Sequence, residues 1–158
     1  MSDNYLQMLI ESQDKKLALL DEAERLDEEL IRLIKTEKPD MDALDANMNA
    51  KGGIVESLDR LDDGFEAVYE KVRDELNGNK DRYKEEIRIL QGQILKITEK
   101  TVKIRALEER NKKAVDHFFE EQRKKVRAGR SSVKAANAYA VNMRKINKVD
   151  SFFLDKKK

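Results

Sequence analysis

From Lys80 to Val126 the apolar residues recur at helical spacing with no proline to interrupt them. This predicts one amphipathic helix roughly 70 Å long at about 1.5 Å of rise per residue. Tyr83, Ile87, Leu90, Ile94, Ile97, Thr101, Ile104, Asn111, Val115 and Phe118 keep close to an alternating four-three spacing, the repeat of a coiled-coil seam. On the polar face Glu99 with Lys103, Glu108 with Lys112, Glu109 with Lys113, Glu120 with Lys124 and Glu121 with Lys125 stand four apart, acid first. Such pairs contribute ~0.2–0.5 kcal/mol each when exposed. A helix of this length must lie against others that are nearly as long, so it sets the architecture of the whole chain.

The rest of the chain supplies such partners. Ser2 or Asp3 can cap a first helix that runs to about Glu37, with Leu6, Leu9, Ile10, Leu17, Leu20, Ala23, Leu26, Leu30, Leu33 and Ile34 as an apolar stripe wide enough for two neighbours. Lys38, Pro39 and Asp40 end it, because proline disfavours helical geometry in the residue before it. Asp40 can cap a second helix over 41–76, whose seam is Met41, Leu44, Met48, Lys51, Val55, Leu58, Asp62, Phe65, Tyr69, Val72 and Leu76.

Lys51 and Asp62 are the two polar members of that seam. One reading buries them as register-setting charges. The favoured reading lets Lys51 snorkel to solvent and shifts the seam to Ile54 and Leu61. Gly52 and Gly53 weaken a helix interior unless a kink or a close helix approach uses them. Asn77, Gly78 and Asn79 form the clearest turn, with Gly78 suited to a left-handed residue that ends a helix and Asn79 to the cap of the next.

Two short connections between three long helices predict an all-α fold, an elongated antiparallel three-helix bundle or coiled-coil hairpin with a long third helix and a flexible C-terminal tail. The expected division is a body over 1–126, with helices at about 3–37, 41–76 and 80–126, and a basic tail over 127–158 with a short helix at 132–146. The third helix should overhang the other two, leaving Val115, Phe118, Phe119 and Val126 without a guaranteed partner inside one copy. In the tail Val133, Ala136, Tyr139 and Met143 fall on one helical face, and Phe152, Phe153 and Leu154 form an apolar triplet near a charged end. That triplet can serve as a clip onto the protein's own groove or as a contact for another protein.

Composition excludes several classes. Cysteine is absent, so neither a disulfide framework nor a thiolate metal site can form. The lone His117 has no nucleophile near it in sequence, no Glu-x-x-His pair occurs, and Gly52 and Gly53 lack a phosphate-loop context. Neither an enzyme nor a cofactor or metal is expected. Net charge is +1, but nine Lys and Arg against two Asp follow Val126, so the tail carries +7 and the remainder −6. The acidic body argues against nucleic-acid binding, although Tyr139, Phe152 and Phe153 could stack on bases. No apolar run approaches the ~18–20 residues that span a membrane, and the start MSDNYLQ has no leader pattern. A soluble, unprocessed, cytoplasmic protein without stable membrane insertion is expected.

The middle helix with Lys51, Ile54, Val55, Leu58, Leu61 and Asp62, the third helix around Leu107, Arg110 and Asn111, and the ending GRSSVKAANAY followed by SFFLDKKK resemble the FlgN-type flagellar export chaperones. The resemblance covers nearly the whole chain. It implies a cytoplasmic chaperone that binds the helical termini of hook-associated proteins and delivers them to the type III export apparatus, with the export gate as a second partner. The residues expected to bind partners are Val115, Phe118, Phe119 and Val126 of the overhang, Val133, Ala136, Tyr139 and Met143 of the tail face, and Phe152, Phe153 and Leu154 near the end; the resemblance itself points to Tyr139, in the region after the long helix that it associates with substrate and export-gate contact. Two alternatives stay open: a chaperone of the filament-cap protein, which shares the helical plan, and a structural coiled-coil homodimer with no export role.

Overall fold

The structure, a computed structural model, describes residues 2–128 and 140–145. Three long helices, α1 (Ser2–Ile34), α2 (Met41–Gly78) and α3 (Lys84–Arg127), account for nearly all of them, and residues 140–145 are also helical. No strand occurs among the described residues, so the fold is an all-α bundle.

Local chemistry explains where the helices stop. The α1 helix ends at Ile34, short of Glu37, and Thr36 Oγ1 donates to the Leu33 carbonyl at 3.3 Å as the chain turns ahead of Pro39. Asp40 caps α2 as expected, its Oδ1 accepting from the amides of Asp42 at 3.0 Å and Ala43 at 3.1 Å. At the other end two expectations are corrected. Gly78 stays inside α2 with no left-handed backbone, and the side chain of Asn79 closes α2 instead of opening α3: its Nδ2 donates to the Glu75 carbonyl at 2.9 Å. Orphan carbonyls at a helix end need donors, and Asn79 supplies one. A turn therefore intervenes before α3 begins at Lys84, with Tyr83 Oη held 3.0 Å from Glu75 Oε1.

Contacts divide the chain into two compact units. The first comprises residues 1–22 and 56–102. Its core gathers Leu6, Leu9, Val72, Leu76, Tyr83 and Leu90, with Tyr5, Ile10, Phe65, Val68 and Ile87 packed around them. Within this unit α1 and α2 run antiparallel, since Leu6 clusters with Leu76 while Lys16 pairs with Asp62 at 2.7 Å. The α3 portion runs parallel to α1: Gln93 Nε2 donates to the Ile10 carbonyl at 3.0 Å and to Asp14 Oδ1 at 2.8 Å, and Lys100 reaches Asp21 at 2.7 Å. Gln93 is buried here in place of Ile94, which is half exposed and so departs from the expected seam. The amide of Gln93 has α1 acceptors to meet, and Ile94, one residue on, is rotated about 100° away.

The second unit comprises residues 23–55 and 103–158, described as far as 128 and again over 140–145. Leu30, Leu44, Met48, Val115, Phe118 and Phe119 form its apolar cluster, and Ile34, Met41 and Met143 pack against it. Phe118 and Phe119 meet edge to face with ring centroids 5.0 Å apart. Of the five expected Glu-to-Lys pairs, two lose a member to another helix: Lys103 pairs with Glu24, and Glu108 with Lys51. Glu120 and Glu121 instead pair three residues on, with Arg123 and Lys124.

Gly52 and Gly53 lie within the single run of α2, and a Cβ at either would meet nothing within 4 Å. No close helix approach requires glycine there, so both carry only the entropic cost of glycine in a helix. Replacing both by alanine should raise unfolding stability by about 1–2 kcal/mol in total, measured by urea denaturation with the m-value unchanged.

Candidate functional site

The most unusual chemistry in the molecule lies inside the second unit. Asp27 of α1, Lys51 of α2 and Glu108 of α3 converge there with exposures of 0%, 3% and 4%. Lys51 Nζ stands 2.5 Å from Asp27 Oδ1 and 2.6 Å from Glu108 Oε1. At these distances the ammonium is within hydrogen-bond reach of both carboxyl groups, and Glu108 is within side-chain hydrogen-bond reach of Asp27 as well. Around it Asn111 Nδ2 donates to the Asp27 carbonyl at 2.9 Å, and Asn47 Nδ2 to the Leu26 carbonyl at 2.9 Å. The expectation that Lys51 snorkels to solvent is thereby corrected. A lysine flanked by two buried carboxylates is better off between them than stretched past them.

Two carboxylates and one ammonium leave one negative charge too many for a dry site. Burial, opposed by Lys51 and reinforced by Asp27, pushes the Glu108 carboxyl up from its ordinary 4.5 to about 8. Burial would lower Lys51, but Glu108 and Asp27 outweigh it and hold the ammonium above its ordinary value. Near neutrality Glu108 therefore retains its proton. Asp62, the second polar position of the α2 seam, belongs to a half-exposed pair with Lys16 in the first unit.

The residues expected to bind partners separate into three groups. Val115, Phe118 and Phe119 are buried in the cluster of the second unit, which corrects the expectation of an apolar overhang. Their partners are Leu30, Leu44 and Met48 of the same chain. Val126 and Met143 are half-buried. Val133, Ala136, Tyr139, Phe152, Phe153 and Leu154 lie outside the described residues. His117 lines a shallow groove of about 400 Å³ in the second unit, with Ile34, Pro39, Ala114, Phe118 and Glu121 among its walls.

Exposed apolar surface is found elsewhere. In the first unit Ile94, Leu95 and Val102 of α3 are each half exposed or more. With Thr98 they occupy positions i, i+1, i+4 and i+8, a sector about 100° wide on consecutive turns. The four-three pattern hid this stripe because it assigned Ile94 to the seam; the signal available was that Leu95 and Val102 fit no seam position. Among the described residues no group of three or more His, Asp or Glu is placed to hold a metal, and no helix is long and apolar enough to cross a membrane. No family model, curated protein or solved structure matches the chain.

The triad makes a signed prediction. The folded state keeps a proton on Glu108 that the unfolded chain releases above pH 4.5, so this group's contribution to stability falls as pH rises from about 4.5 to 8. Glu108→Gln should flatten that decline, seen as the difference between wild-type and variant urea midpoints across pH 5 to 8.5. Lys51→Met should destabilise by about 3–5 kcal/mol at neutral pH, because it leaves two buried acids without their cation.

Proposed function

We propose that this chain is a binding protein that holds an amphipathic helix of another protein, in the manner of a chaperone for flagellar type III export. The observation that supports it best is the stripe of Ile94, Leu95 and Val102. Exposed apolar residues on successive turns of a rigid helix match the helix-in-groove mode of recognition, in which a partner helix lays its own apolar face alongside. Scattered exposed apolar residues, such as Met8 and Tyr69, need no partner; a stripe at helical spacing has a use for one.

The client class follows from the resemblance: the helical termini of hook-associated proteins, amphipathic segments that self-assemble if left uncovered, delivered in the cytoplasm to the export gate. A chaperone of the filament-cap protein is the sister reading and would use the same surface. A structural homodimer is the competing one, because two copies of the stripe could cover each other.

Leu95→Glu with Val102→Glu separates these readings, since both positions are exposed and the fold should tolerate the change. Loss of at least tenfold in affinity for a hook-associated protein's terminal segment, by titration calorimetry, is expected of the chaperone, with the thermal melt unchanged. Unchanged affinity would move the client site off α3. A wild-type dimer in sedimentation that the double variant dissolves, together with no client binding by either form, would favour the homodimer.

A further inference from the structure

In the first unit α1 and α2 share a shallow groove of about 550 Å³, lined by Lys15, Ala18 and Leu19 of α1 and by Ser57, Arg60 and Leu61 of α2. It lies away from α3: Asp14 and Asp21 of α1 meet that helix, and Leu19 stands about 140° around α1 from Asp14. Leu19 and Leu61 are half-buried and form the floor, while Lys15 and Arg60 are exposed on either side. Every charge on these walls is positive. That is an exception here, because residues 1–22 and 56–102 carry 17 Asp and Glu against 11 Lys and Arg. Nearby acids are engaged elsewhere, Glu11 by Gln7, Asp14 by Gln93 and Asp62 by Lys16. Among the described residues no acid pairs with Lys15 or with Arg60, and Arg60 Nη2 donates to Ser57 Oγ at 3.0 Å. Long cationic side chains beside an apolar floor lay their stems on it and send their heads to water; the bond to Ser57 keeps this guanidinium at the groove wall.

We infer that this groove docks an acidic amphipathic helix of a partner protein, one that carries carboxylates on both flanks of its apolar stripe. Two antiparallel helices leave a furrow that a further helix fits, with its apolar side chains on Leu19 and Leu61. Lys15 and Arg60 rise from different helices, so the occupant has to present an acid to each side. A guanidinium takes a carboxylate in a two-pronged pair, and expulsion of water from the filled groove strengthens the attraction at both cations. Elsewhere the net negative charge of the unit repels such a helix, which confines it to the groove. The chain's own residues 127–158 carry +7 and have the wrong sign to be the occupant, and two cations are too few to hold a phosphate backbone. The inference goes beyond the client role proposed above: it concerns other helices and does not depend on what the α3 stripe binds.

The test adds fluorescein-labelled helical peptides to the full chain and follows anisotropy. One peptide has a leucine stripe flanked by glutamates, a second has lysines in place of the glutamates, and a third has serines in place of the leucines. The glutamate–leucine peptide should bind at least tenfold more tightly than either of the others. Lys15→Glu with Arg60→Glu, both at exposed positions, should weaken it at least tenfold and tighten the lysine peptide, with the thermal melt unchanged. Leu95→Glu with Val102→Glu should leave its affinity unchanged, which separates the groove from the α3 stripe. Equal binding of the serine peptide would reduce the groove to bare charge attraction and overturn the inference. So would binding that ignores the changes at Lys15 and Arg60, or that is lost with those on α3. A wild-type dimer in sedimentation that Lys15→Glu with Arg60→Glu dissolves would make a second copy the occupant, and would overturn it too. Should that variant fail to melt cooperatively, Lys15→Gln with Arg60→Gln decides: at least threefold weaker binding supports the groove, and an unchanged affinity overturns it.

Discussion

Lys51 is a positive charge in a dry interior, and it is tolerable there only because α1 and α3 each bring an acid to it. Asp27 and Glu108 must arrive at one level along their helices for Lys51 to meet both at 2.5 and 2.6 Å. A helix slipped by one turn would move its charge about 5.4 Å and leave an unpaired ion in a low-dielectric core. An apolar seam is forgiving about such slips, since one leucine packs much as another does. The triad removes that freedom in the second unit, and Asn111 and Asn47, donating to backbone carbonyls of α1, reinforce the same register. Buried polar groups are best attested in this role of choosing one alignment among several.

The same chemistry explains where apolar surface is spent. The cluster of Leu30, Leu44, Met48, Val115, Phe118 and Phe119 is closed by side chains of its own unit, so the aromatic pair expected to wait for a partner belongs to the core. Ile94, Leu95 and Val102 in the first unit instead stay exposed among the described residues.

The helical pattern is legible in the sequence because periodicity is a local property. Asp40 announces the start of α2 and Pro39 the end of α1, and Leu6, Leu9, Val72, Leu76 and Leu90 stand at core spacing along the chain. Sites of competition between helices are less legible. Ile94 satisfies the repeat yet loses its place to Gln93, whose amide has α1 acceptors that a one-dimensional pattern cannot display. Asn79 could cap either adjoining helix, and it takes the carbonyl within reach. Glu108 has the spacing of a surface pair with Lys112, but Lys51 claims it.

Sequence by itself determined three things: that the chain is helical, how many long helices it has, and which face of each is largely dry. All three follow from the spacing of apolar residues and from proline, aspartate and asparagine acting within a few residues of themselves. Tertiary structure alone decided whether Lys51 lies in solvent or in the core, whether Phe118 and Phe119 are surface or interior, and which apolar residues remain open. The physical reason is that burial and ionisation depend on what other segments bring to a point in space. For Lys51 the deciding groups are Asp27 and Glu108, each on a different helix, and no window along the chain contains all three.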